Sequence, residues 1–297
     1  MRGDVWAIGR VVMVSAGLVG AACLLARVEA VQAGAEHGPP SADPAALRHA
    51  HLSFYNGRYL EAAAEALAVR ADQPDDLAGY ELRTSALLFQ LKQTLASRSK
   101  LDKREALKQC DLCAQWTATF LSDTEHGQVL ARTRLATSPS DEPALFFLAK
   151  LDLNYVWLQL ELLGRKKGWN EYWEARRSLD ALLTQDPQHV RGRVARAWID
   201  YIVDTKLPRA TRWILGGGNR RRALLAMRQA ATTDAEFFVR TEAAFALWDM
   251  EVRERNIPQA VAVARGLVLD YPENRDLTGF LAVHDPALRD PPPDTAK

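Results

Sequence analysis

The chain reads as an all-α protein. Apolar residues recur with a helical period across most of its length. No alternating strand is followed by a hairpin turn, and Ala, Leu and Arg dominate where β-branched runs are scarce. A repeated spacing adds to this: Pro74 lies twelve residues after Ala62, Pro187 after Ala175, and Pro272 after Ala260. Each pair brackets an alanine-rich amphipathic segment. Each segment is therefore expected to be the second helix of a helix–turn–helix unit, with the alanine at a close helix contact and the proline ending the unit. Arrays of such units are binding surfaces far more often than catalysts.

The elements follow in order. A first helix is expected over 46–55, a turn at Asn56-Gly57, and a second helix over 58–70. The next pair is expected over 77–97 and 103–121. A further helix over 125–136 is stopped by Ser138-Pro139-Ser140-Asp141. The segment 142–163 is apolar on more than one face, so it should be deeply buried. Its partner is expected over 170–184, capped by Asn170. Helices over 188–203, 219–231, 235–255 and 258–269 continue the alternation, and 275–283 forms a short closing helix.

The 297 residues allow one long domain or two short ones, and 48% hydrophobic with 25% charged residues is ordinary for a soluble globular chain. A net charge of +1 gives no case for nucleic acid. Residues 1–33 have the three-part pattern of a secretory signal: Arg2 and Arg10, an apolar run over 11–26, then small-residue sites at Val28-Glu29-Ala30 and Val31-Gln32-Ala33. The run is short for a membrane-spanning helix. A cleaved signal is the first reading, a retained anchor the second, and lipidation at Cys23 the third. Each places the body outside the cytoplasm, in the periplasm or anchored facing away from the cytoplasm. Residues 34–43 read as a linker, 44–283 as the helical domain, and the proline-rich 284–297 as a disordered tail.

Four segments share a further pattern: Ala62, Ala66, Val69, Pro74; Ala175, Leu179, Leu182, Pro187; Ala260, Ala264, Leu267, Pro272; and Ala223, Met227, Ala230 without the proline. With Asn56 to Ala62 as a turn and helix start, this resembles the tetratricopeptide repeat family. The resemblance implies a right-handed α-solenoid of about five irregular helix pairs. Successive alanines are unevenly spaced and the first helices rarely carry the family's Leu-Gly pair, so the family's binding groove does not transfer.

Cys110 and Cys113 form the sharpest local motif. They lie four and seven residues after Ala106, where repeat helices press small residues together, so core packing is the first reading. A disulfide is the second, and a metal or catalytic role the third. Trp169 and Tyr172, at a helix start, are candidate anchors for a partner. The segment 164–222 carries fourteen basic against six acidic residues, a balance of +8. Within it Arg165, Lys166 and Lys167, and Arg220, Arg221 and Arg222, are candidates for an acidic partner or a membrane surface. Three glycines, Gly216 to Gly218, precede the second trio and could frame an anion at a helix start. Asp200 and Asp204, near Glu171 and Glu174, could be paired carboxylates of a helical hydrolase. No histidine spacing suits a metal, and no cofactor is expected. The expectation is a non-catalytic scaffold that binds a protein in the cell envelope. The alternative is a solute-binding array closed around an apolar cavity near Trp157, Trp173 and Trp198.

Overall fold

The computed structural model describes residues 47–95, 105–206 and 212–289. The signal-like segment, Cys23 and the linker lie outside the described residues.

Asn56 and Gly57 turn the chain sharply, with Gly57 at φ +80°, and join α1 (Arg48–Tyr55) to α2 (Tyr59–Asp72). Asp76 caps α3 (Leu77–Thr94) by accepting hydrogen bonds from the Ala78 and Gly79 N–H groups at 3.2 and 2.8 Å. α4 (Asp111–Thr137) runs unbroken through 122–124, where the sequence suggested a break. Asp123 and Thr124 face inward there instead, while Ser122 is exposed. Asp123 accepts from Arg70 at 2.8 Å and Arg83 at 2.6 Å, and Thr124 bonds back to the Phe120 carbonyl. Cys110 is the residue capping α4 rather than part of a longer helix, and a disulfide joins it to the buried Cys113.

Asp141 caps α5 (Glu142–Trp157) and holds Arg134 through two bonds, which fixes the sharp corner between α4 and α5. The apolar run then widens into a single π turn, Leu158–Leu162, so 142–163 is not one uniform helix. α6 (Trp169–Gln185) starts one residue earlier than its sequence suggests. Gly168, at φ +98°, is its cap in place of Asn170, and a side chain at Gly168 would press Val156. α7 (Val190–Lys206) and a 3₁₀ turn, Trp213–Leu215, lead to α8 (Arg220–Ala231), capped by Asn219. α9 (Phe237–Arg253), α10 (Ile257–Asp270), α11 (Arg275–His284) and a short α12 (Pro286–Arg289) complete the chain. The tail begins later than expected, because Arg265 clamps the buried Asp285 at 2.5 and 2.7 Å. Residues 290–297 lie outside the described residues.

Packing runs mainly between neighbours in the chain: α1 with α2, α2 with α3, α3 with α4, and so on to α10 with α11. Ala62, Ala175 and Ala260 are fully buried in these contacts, as are Ala66, Leu179, Leu182, Ala264, Met227 and Ala230. Pro74, Pro187 and Pro272 are exposed just past the ends of α2, α6 and α10. No helix among the described residues is long and apolar enough to cross a membrane.

The two ends of the described chain touch. Asn274 donates to the Tyr55 carbonyl at 2.8 Å, the Glu273 N–H donates to Asn56, and Arg58 pairs with Glu273. Tyr55 lies in one apolar cluster with Phe238, Leu267, Tyr271 and Leu277, its ring 5.4 Å from that of Tyr271. Asn274 also caps α11, so it serves helix and closure together. Replacing Asn274 with Ala should cost about 2 kcal/mol in denaturant unfolding. Asn274→Asp, which keeps the cap but loses the donor, should fall between it and the wild type.

Candidate functional site

The first helices of the successive pairs converge on one cavity. It has a volume of about 280 Å³, and every lining residue lies on α1, α3, α5 with its π turn, α7 or α9. Phe54, Phe89, Trp157, Trp198, Phe245 and Trp248 supply much of the wall. Each inner helix also contributes a polar group: His51 from α1, Glu81 from α3, Lys150 from α5, Arg191 from α7 and Glu242 from α9. Helical periodicity puts each of these on an inward stripe, one or two turns from its aromatic neighbours.

Glu242 is the hub. It accepts a hydrogen bond from Lys150 Nζ at 2.7 Å and from Arg191 Nε at 2.6 Å. Glu81 completes a four-charge cluster, 3.6 Å from Lys150 and 3.7 Å from Arg191, and accepts from Ser85 Oγ at 2.8 Å. Arg191 also lies over the Phe146 ring, 4.3 Å from its centroid. Two carboxylates face two cations, so the cluster is balanced internally. Burial pushes the Glu242 carboxyl upward, but Arg191 and Lys150 outweigh it and hold the group well below the usual carboxylate range. Burial opposes the charge on Lys150 too. The two glutamates overcome it and raise the ammonium's affinity for its proton.

His51 is stacked 4.8 Å from the Phe238 ring. Burial, and then the charge of Arg191, lower its pKa from 6.5 to about 4, so it stands neutral at physiological pH. Its Nδ1 and the indole Nε1 of Trp248 are buried and have no hydrogen-bond partner among the described residues. Two polar atoms of residues in the cavity wall are thus left without a partner amid aromatic rings.

A second cavity of about 540 Å³ sits at the C-terminal ends of α3, α5 and α7. Leu153, Val156, Leu160, Ile199 and Val203 line it, with Lys167, Trp169 and Lys206 among its polar and aromatic lining. It shares Lys92, Leu153, Trp157, Glu161 and Ile202 with the first, and Lys92 pairs with Glu161 at 3.1 Å.

The residues singled out from sequence fall differently. Trp157 and Trp198 line the central cavity, whereas Trp173 packs into the core of α5 to α7. Trp169 is 46% exposed, but Tyr172 is only 7% exposed and is a core residue rather than a surface anchor. Its hydroxyl donates to the Leu215 carbonyl at 2.9 Å, beside Arg176. Arg165, Lys166 and Lys167 are exposed, as are Arg220, Arg221 and Arg222. The helix start after the three glycines is already occupied: Asp204 accepts from the Arg220 N–H, and Asn219 accepts from the Arg222 N–H. Asp200 is held by Arg196 at 2.5 Å and Asp204 by Arg212, so both carboxylates serve as structural ion partners.

Glu81, Lys150, Glu242 and His51 escaped the sequence reading. One signal was present, since Lys150 and Asp152 interrupt the apolar run Leu145 to Leu153, where buried charges need partners. The partner of Lys150 lies ninety-two residues away, beyond the reach of local pattern.

Away from the cavity, Asp152 is fully buried with one oxygen 2.7 Å from Gln128 Nε2 and the other unpartnered. Burial, and then the charge of Glu174, raise its pKa from 3.8 to about 9. The folded state therefore keeps a proton that the unfolded chain gives up, and stability falls as pH rises from about 4 to about 9. Asp152→Asn should match the wild type near pH 4 and be more stable by over about 1 kcal/mol at pH 8, read from melting curves across that range. No family model matches the chain, and neither a curated protein nor a solved structure shows significant similarity to it.

Proposed function

We propose that this is a non-catalytic binding protein whose central cavity holds a small, uncharged ligand. The supporting observation is the convergence of five inner helices on an aromatic chamber with a self-balanced ion cluster. Because Glu81, Lys150, Arg191 and Glu242 neutralise one another, the cavity needs no counter-ion from its ligand. A charged ligand would have to break pairs that are costly to break. A planar or aromatic molecule with a carbonyl or hydroxyl would stack on Trp198, Phe245 or Trp248 and satisfy the indole N–H.

In this reading the helix pairs are a tetratricopeptide-like array, about five pairs bent until the ends meet. The buried alanines at the pair contacts and the inner–outer alternation support it. Export to the cell envelope is part of the same proposal and rests on the pattern of residues 1–33. The scaffold reading draws its support from exposed Trp169 and from Trp213, which is 75% exposed.

Native mass spectrometry of the protein from its own source should show a co-purifying small molecule at near one-to-one occupancy. Trp248→Phe keeps the ring but removes the N–H, and should weaken rebinding of that molecule about ten-fold. A bare chain that instead captures one stoichiometric protein would favour the scaffold.

A further inference from the structure

One face of the molecule combines exposed apolar side chains with unpaired cations. The 3₁₀ turn at Trp213–Leu215 is strapped onto α6: the Leu215 carbonyl accepts from Tyr172 at 2.9 Å and Arg176 at 3.0 Å, and the Gly216 carbonyl from Arg176 at 2.9 Å. The strap leaves Trp213 75% and Ile214 52% exposed. Leu215 turns partly inward against the core while Trp213 and Ile214 stay exposed, and Arg176, itself buried, anchors the turn.

Trp169 belongs to the same face, since it and Leu215 line the second cavity together with Lys167 and Lys206. Arg165, Lys166, Lys167 and Lys206 are exposed and make no ion pair among the described residues. The acidic residues nearby do not offset them: Asp204 holds Arg212 and the Arg220 N–H, Glu254 holds Arg220 and Tyr201, Glu161 pairs with Lys92, and Glu171, which makes no ion pair among the described residues, is one carboxylate against these four cations. The surplus on this face is therefore positive, whereas the cavity behind it and the chain as a whole are nearly balanced.

We propose that this face docks onto an anionic lipid surface. Indole rings favour the headgroup region of a bilayer, where one edge is wet and the other apolar, and isoleucine beside them adds apolar depth. Lysines around such an anchor gain from the negative surface potential, about five-fold in partitioning for each cation brought near the surface. A protein partner would suit the exposed tryptophans. An acidic patch on it would answer the cations, whereas a bilayer answers them together with the exposed indoles and with the apolar cavity that Lys167 and Lys206 line. The proposal stands apart from the ligand in the central chamber. It assigns the face, and with it an orientation in which the second cavity opens toward lipid.

The test is flotation of the full chain with vesicles of phosphatidylcholine alone and of phosphatidylcholine with about one third phosphatidylglycerol. The readout is the anionic increment, the ratio of the two partition coefficients, because residues 11–26 give both vesicle types a common apolar contribution. The wild type should show an increment above ten-fold that shrinks with salt. Lys166→Ala/Lys167→Ala should reduce that increment by roughly 25-fold or to unity. Trp213→Ala/Ile214→Ala should lower binding to anionic vesicles at least ten-fold. A charge-matched control on other exposed positions, Lys108→Ala/Arg275→Ala, should leave the increment intact. The proposal is overturned if the wild type floats equally with both vesicles, which would leave the face to a protein partner. It is equally overturned if the control loses as much as Lys166→Ala/Lys167→Ala, or if Trp213→Ala/Ile214→Ala binds as the wild type does.

Discussion

The interior of this protein is organised by one ion cluster. Glu242 on α9 reaches Lys150 on α5 and Arg191 on α7, and Glu81 on α3 closes the set. Along the chain α5 packs with α3, α4 and α6, while α9 packs with α7, α8 and α10. The cluster therefore joins the early and late parts of the array through its middle. An isolated charge in such a place would cost several kcal/mol, so each of the four depends on the others being present. The chain ends meet outside the cluster, at Tyr55, Asn274 and Tyr271, and the paired charges stand inside.

Closure changes what a row of helix pairs can do. An open array offers a concave face to an extended partner. Here the first helices of the pairs surround a chamber of about 280 Å³, close to the lower size of small-molecule sites. The charges in it are satisfied by one another and the rings by stacking. What is left unsatisfied is small and specific, His51 Nδ1 and Trp248 Nε1. The second cavity meets the first at Trp157 and the Lys92–Glu161 pair.

The helices were legible because their signals are local. Asp76, Asp141, Asn219 and Asn274 accept from backbone N–H groups two or three residues further on, and the prolines mark the ends. The buried alanines were legible for the same reason, since spacing alone puts Ala62, Ala175 and Ala260 on one stripe. Errors came where a tertiary partner decides. Asp123 looked like part of a break and is an inward ion partner of Arg70 and Arg83. Tyr172 looked like an anchor and is covered by the turn at Leu215, which arrives from forty-three residues away. The site itself was nearly invisible. Glu81, Lys150, Arg191 and Glu242 sit one to a helix, and apart from Lys150 in its apolar run each alone resembles an ordinary surface charge.

The most direct test of this account is a double-mutant cycle on Arg191→Met and Glu242→Gln, measured by equilibrium unfolding in denaturant. If the cluster ties the two halves of the array together, each single variant strands a buried charge and costs about 3 kcal/mol or more. The double variant should then cost less than the sum of the two by at least about 1.5 kcal/mol. Additivity within about 0.5 kcal/mol would contradict the account, because it would mean that α7 and α9 are held without this pair.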